Sequence, residues 1–250
     1  MSALTPGDLF LCIDYFGFQF DPDLLQKVKS KGCYILRDCS QALFFDFQSD
    51  SICDFHLLSP RKFLGVPDGG ILHSRINLVS HLSPPPNEIL YPLFKALLLR
   101  RDFDHYGGSR EWFNLFNQAE AEFSPQLFSI SQLSEYLLKY AFDYDEISVS
   151  RRDNFLALNE KLRNLAIFPH LPENVIPLGY PIKLKAQKKL QRAMFTKKIY
   201  PPIHWNIDGS VPAHFTQSHR LSHQILMLPC DQRYTLQDMD MVADSVLEFL

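Results

Sequence analysis

No apolar run in these 250 residues approaches the roughly 20-residue length of a membrane-spanning helix. A secretory leader is not indicated either, because Met1 to Phe20 carries Asp8 and Asp14 and has no basic start. Cysteine is scarce: five copies, an odd number without metal-like pairing, suit a reducing compartment and predict a cytoplasmic protein without a metal centre. Neither sign of charge dominates, with 25 Lys+Arg against 28 Asp+Glu, so nucleic acid is not expected as the main partner. Internal repeats are absent. What remains, 46% hydrophobic and 21% charged, allows a sizeable core in one large or two modest domains.

The chain opens on Asp8 to Ile13, a mostly apolar run suited to a strand buried on both faces. Asp21-Pro22-Asp23 then offers a helix cap with proline in the first turn, and Leu24, Leu25 and Val28 recur at helical spacing. Gly32 ends that helix and releases the chain into Cys33 to Leu36, so residues 8–36 read as one right-handed βαβ unit. Asp38 follows immediately. It therefore stands just past the carboxyl end of a strand, the edge at which open α/β sheets bind ligands.

Phe55 to Leu58 is a further strand candidate, followed at once by Ser59-Pro60-Arg61-Lys62, and Gly70 to His73 reads as a return strand after the Gly69-Gly70 pair. If the strands are neighbours, Asp38, Gln41, Ser59 and Lys62 converge on one rim of the sheet. A lysine amine, a carboxylate, a hydroxyl and an amide are the types that pyridoxal 5'-phosphate requires: a covalent anchor, a partner for the pyridine nitrogen, and donors for phosphate and ring oxygen. Taken singly, each has a plainer reading, Lys62 as a solvated loop residue and Asp38 as a turn cap. Their order along the chain favours the site.

These segments resemble the DegT/DnrJ family of sugar aminotransferases, pyridoxal-phosphate enzymes of the aspartate-aminotransferase fold, type I. The resemblance spans Asp14-Tyr15-Phe16-Gly17, Asp38-Cys39-Ser40-Gln41, the lysine segment, Ser150 to Phe155 at the opening of a late helix, Pro201 to Trp205, and Leu221 to Tyr234. It implies Lys62 as the Schiff-base lysine, Asp38 as partner of the pyridine nitrogen, Gln41 on the ring oxygen and Ser59 on the phosphate. Ser59 lies three residues ahead of Lys62, nearer the aspartate-aminotransferase spacing, and Arg37 replaces an acidic residue common in the family. The family's upstream segment, with a glycine-rich helix start for the phosphate and an aromatic ring over the pyridine, has no counterpart before Gly7.

Farther on, Ser83-Pro84-Pro85-Pro86 and Tyr106-Gly107-Gly108 break the chain before a helical stretch from about Glu111. Helix is expected over Arg152 to Leu165, strand over Ile176 to Ile182, and helices over Ala186 to Met194 and Leu236 to Leu250, the last opened by a Thr235/Asp238 capping box. His219 and His223 stand four apart without a third metal ligand in view, and read as surface histidines. The Ser59-Xaa-Xaa-Lys62 spacing also occurs in acyl-serine enzymes, but their Ser-Asp-Asn and Lys-Thr-Gly elements are missing.

The expectation is thus an α/β chain: residues 1–145, the remainder of a fold-type-I large domain with a mostly parallel sheet, and residues 146–250, a small α+β domain. By the resemblance it transfers an amino group from an amino acid such as glutamate to a nucleotide-linked keto sugar, as a homodimer. The missing first elements predict weak cofactor binding, exposed apolar surface and an unpaired strand edge that favours association. The alternative is a non-catalytic remnant or partner subunit.

Overall fold

The computed structural model describes residues 3–78, 81–122 and 126–250, so Met1 and Ser2 of the opening stretch lie outside it. The chain forms two units: residues 1–14 with 20–143, and residues 15–19 with 144–250.

In the first unit, β1 (Leu9–Ile13), α1 (Pro22–Lys29) and β2 (Tyr34–Asp38) form the expected βαβ unit. Asp21 caps α1 by accepting from the backbone N–H groups of Asp23 and Leu24, and Gly32 takes a left-handed φ of 76° after the helix has ended at Ser30. β3 (Phe55–Leu58) joins parallel to β2, and β4 (Ile71–Ser74) returns antiparallel, giving a mixed sheet of order β1-β2-β3-β4. Then come α2 (Asn87–Tyr106), α3 (Glu111–Ala121) and α4 (Gln132–Tyr140).

The two faces of this sheet differ. On one, Cys12 and Ile35 bury against Leu25 and Val28 of α1. The other leaves Leu9 59%, Leu11 54%, Tyr34 45% and Leu72 52% exposed, and β1 ends the strand order among the described residues.

Beneath the buried face runs a line of charge. Asp14, fully buried just past β1, accepts from Arg37 Nε at 3.0 and 3.1 Å and from the Phe20 N–H at 2.9 Å. Arg37 Nη1 also donates to Asp50 at 2.9 Å, and the His56 ring nitrogen Nε2 lies 3.1 Å from the same Asp50 oxygen. Phe45 covers the guanidinium at 4.1 Å. Burial pushes the Asp14 carboxyl up and Arg37 pulls it back; burial likewise disfavours the charged guanidinium, yet Asp14 and Asp50 hold it charged. Burial also opposes ionisation of Asp50, but hydrogen bonds from His56, the Ile52 and Cys53 backbone and Arg37 win and hold it well below the carboxylate range.

The second unit consists of α5 (Tyr144–Leu162), β5 (Tyr180–Lys183), α6 (Gln187–Thr196), α7 (Thr216–Ser222), β6 (Ile225–Leu228) and α8 (Leu236–Leu247). Phe155, Leu158 and Leu162 of α5 share one core with Tyr180, Ile182, Leu226, Leu228, Val242 and Val246. α8 opens on the expected reciprocal Thr235/Asp238 box. Two expectations need correction. Ser150 to Phe155 lies inside α5 rather than opening it, and strand begins only at Tyr180, because the Pro177 and Leu178 carbonyls accept from Arg151 at 3.0 and 3.2 Å instead of joining a ladder. Among the described residues, no helix is long and apolar enough to cross a membrane.

Arg37→Ala leaves the buried Asp14 without a cation and Asp50 with His56 alone, and is expected to cost about 3–5 kcal/mol in urea denaturation. His56 is opposed by burial but raised by Asp50, to about 8 from an ordinary 6.5. A raised folded-state pKa stabilises fully below pH 6.5 and loses that contribution as pH rises through 8. Stability should therefore fall by on the order of 1–2 kcal/mol across this window, and His56→Gln should flatten that part of the profile.

Candidate active site

The parallel pairing of β2 with β3 sets the Asp38 backbone opposite Leu57, and Cys39 N–H donates to the Leu57 carbonyl at 2.8 Å. Asp38 and Ser59 thus end neighbouring strands at the same sheet edge. Asp38, partly buried, accepts on Oδ1 from the Ser40 N–H at 2.8 Å and from the Ser40 hydroxyl, whereas Oδ2 has no partner among the described residues. Gln41 is buried at 4% exposure.

Past β3, Ser59 precedes a single 3-10 turn, Pro60–Lys62, and its hydroxyl does not cap that turn. Lys62 is exposed, and its ammonium has no hydrogen-bond or ion-pair partner among the described residues. Ser59 and Lys62 line a cavity of about 510 Å³, walled also by Arg61, Leu64, Leu93, Leu97, Trp112 and Phe116. Asp38 and Gln41 are not among its lining residues. The structure therefore places Asp38 at the end of β2 and Gln41, Ser59 and Lys62 in the segments that follow β2 and β3, and brings only Ser59 and Lys62 to one cavity.

The loop after Lys62 is fixed by contacts that the sequence did not disclose. Asp68 accepts from Ser131 N–H at 2.8 Å, from the Ser131 hydroxyl at 2.5 Å and from the Ser134 hydroxyl. Ser131 caps α4 by accepting from the Ser134 N–H, so one carboxylate ties the lysine loop to the start of that helix. Gly69 turns here with φ 111°, and a Cβ on it would sit 2.6 Å from the Ile130 side chain. Gly70 has no such requirement.

Other segments of interest are structural. Arg151 donates to Gln232 at 2.7 Å as well as to the two carbonyls above, and Asn154 Nδ2 donates to the Asp231 and Tyr234 carbonyls at 3.1 and 3.0 Å. Gly17, at φ 95°, lies where a Cβ would meet the Ile176 carbonyl at 2.5 Å. His219 and His223 both face Asp208, at 3.5 and 3.4 Å, a third group that spacing alone did not reveal.

One group among the described residues, Asp50, Cys53 and His56, brings three metal-type ligand atoms within 4.8 Å of one another. Its Asp-Xaa-Xaa-Cys-Xaa-Xaa-His spacing is written within seven residues of sequence, Asp50 to His56. Arg37 already supplies the cation on Asp50, and the Cys53 thiol is pushed up by its hydrogen bond with Cys12 and by burial, away from the thiolate a metal needs. This group serves the charge network.

No protein-family model and no curated protein matches the sequence. Solved structures do match. A DegT DnrJ EryC1 StrS aminotransferase from Brucella abortus superposes with TM-score 0.60 at 18% identity, covering 97% of this chain and 64% of its own. PseC of Helicobacter pylori, an aminotransferase involved in the biosynthesis of pseudoaminic acid, gives 0.59 at 16% identity, covering 95% and 65%. The sugar aminotransferase CalS13 from Micromonospora echinospora gives 0.60 at 12%, covering 100% and 69%. The chain thus has the α/β fold of DegT/DnrJ/EryC1/StrS aminotransferases, as the sequence resemblance implied, and spans about two thirds of their length.

Gly69→Ala should lower stability by about 1–3 kcal/mol through backbone strain and the Ile130 clash. Gly70→Ala, whose nearest neighbour would be the Leu58 carbonyl at 3.7 Å, should be near neutral. Thermal denaturation of the two variants side by side checks this.

Proposed function

We propose that this chain is a pyridoxal-phosphate aminotransferase of the DegT/DnrJ kind, with an amino acid such as glutamate as donor and a nucleotide-linked keto sugar as acceptor. The observation that carries the reading is the placement of Asp38 and Lys62 past the ends of neighbouring strands at one sheet edge, with Asp38 Oδ2 and the Lys62 ammonium without partners among the described residues. The residues present fit the cofactor in type. Asp38 Oδ2 would accept a hydrogen bond from the protonated pyridine nitrogen, Lys62 Nζ would hold the cofactor covalently, and the Ser59 hydroxyl and Gln41 amide would meet phosphate and ring oxygen. Bound there, pyridoxal phosphate supplies an electron sink for the substrate carbon.

Each chain group then has a separate task. The Asp38 carboxylate keeps a positive charge next to it, which strengthens the sink, and its own hydrogen bond from Ser40 keeps it aimed. Lys62 Nζ would hold and move the proton at the substrate carbon. The Asp68 clamp limits how far the lysine loop moves during this transfer. In this reading residues 1–145 are the remainder of the cofactor-binding domain and residues 146–250 the small domain, and two copies assemble as a homodimer.

A non-catalytic role as a partner subunit is favoured by one observation: the cavity at Lys62 does not include Asp38 or Gln41.

Borohydride reduction in the presence of pyridoxal phosphate should attach the cofactor to the Lys62 peptide, and Lys62→Ala should abolish attachment. Asp38→Asn should keep attachment and cut amino transfer from glutamate at least tenfold, about 1.4 kcal/mol of lost transition-state stabilisation. Label on other lysines would remove Lys62 from the site, and unchanged turnover would remove Asp38.

A further inference from the structure

The cavity beside Lys62 has a chemistry of its own, which stands on its walls and not on the aminotransferase reading. Its volume, about 510 Å³, is that of a small-molecule pocket. Leu64, Val66, Leu93, Ala96, Leu97 and Phe113 make most of the wall apolar. Two of its three cations are already neutralised within the protein. Arg61 pairs with Glu120 at 2.6 Å and lies over the Phe116 ring, while Arg100 binds both Asp104 oxygens at 2.9 Å and lies 4.2 Å over Trp112.

Lys62 is left as the one cation on this wall without a partner among the described residues. The indole N–H of Trp112 is buried without an acceptor among the described residues. A polyhydroxylated ligand would lose more hydrogen bonds to water than such walls replace, whereas an apolar body loses none. The single unpaired ammonium on this wall matches the charge of a monoanion. We propose that this cavity binds a monoanion with an apolar body, an aliphatic or aromatic monocarboxylate, its carboxylate on Lys62 and its body between the lysine loop and the α2–α3 pair.

The test uses decanoate as probe, without pyridoxal phosphate, in a Trp205→Phe background that leaves Trp112 as the only tryptophan reporter. Decanoate should change Trp112 emission saturably. Lys62→Gln should weaken binding about tenfold or more, the worth of a hydrogen bond to a charged group. Lys62→Arg should restore it, and decanol should bind about tenfold more weakly than decanoate. Lys62→Arg cannot form the covalent bond that borohydride traps, so it keeps the anion site while losing the cofactor site, and the two readings fail separately. No saturable change at Trp112, equal affinity in Lys62→Gln, failure of Lys62→Arg to restore binding, or equal binding of decanol and decanoate would each overturn the proposal.

Discussion

The first unit depends on one guanidinium. Arg37 bridges Asp14, at the end of β1, to Asp50, ahead of β3, and so fastens three consecutive strands of the sheet at the edge where the candidate site lies. Asp14 also binds the Phe20 N–H, fixing the chain's return toward α1, and Asp50 binds the N–H groups of Ile52 and Cys53, fixing the approach to β3. Burying three charges is worthwhile only when they are mutually paired, and the penalty for losing the shared cation is then much larger than the gain from having it. The network therefore acts more on which arrangement forms than on net stability.

Its position follows from strand alternation. Arg37 and Asp38 are neighbours on β2 and must point to opposite faces, Arg37 with buried Ile35 toward the α1 side, Asp38 with Leu36 and Tyr34 toward the exposed side. The acidic residue usual before the aspartate in the family would meet Asp14 and Asp50 here. Three carboxylates without a cation would not stay ionised in that interior. Arg37 and the acids at 14 and 50 thus form one electrostatic unit.

What the sequence made legible were features with local causes. The Asp21 cap, the glycine after α1 and the Thr235/Asp238 box are each written within a few residues. Strand ends, and with them the edge positions of Asp38, Ser59 and Lys62, followed from short apolar runs. α2 was missed because Ile89, Leu90, Leu93, Leu97, Leu98 and Leu99 surround the helix, so its 3.6-residue period has little contrast. The Asp68 clamp was missed for a different reason: Ser131 and Ser134 lie 63 and 66 residues away, and nothing local marks the pairing. The cavity was equally unreadable, since its walls come from the lysine loop and two later helices.

The exposed face of the sheet bears directly on the candidate carboxylate. Tyr34, Leu36 and Asp38 share that face by alternation, and it carries Leu9, Leu11 and Leu72 exposed to 59, 54 and 52%. Strands of parallel sheets are ordinarily buried on both sides, and here only the α1 side is. Water therefore reaches the Asp38 side of the sheet, and at high effective dielectric a carboxylate holds a neighbouring cation only weakly. Covering that face would exclude water from Asp38 and strengthen its hold on a bound cation without moving any residue of the site. Apolar burial and electrostatic activation are thus coupled through the alternation of a single strand, β2, whose other face carries Arg37.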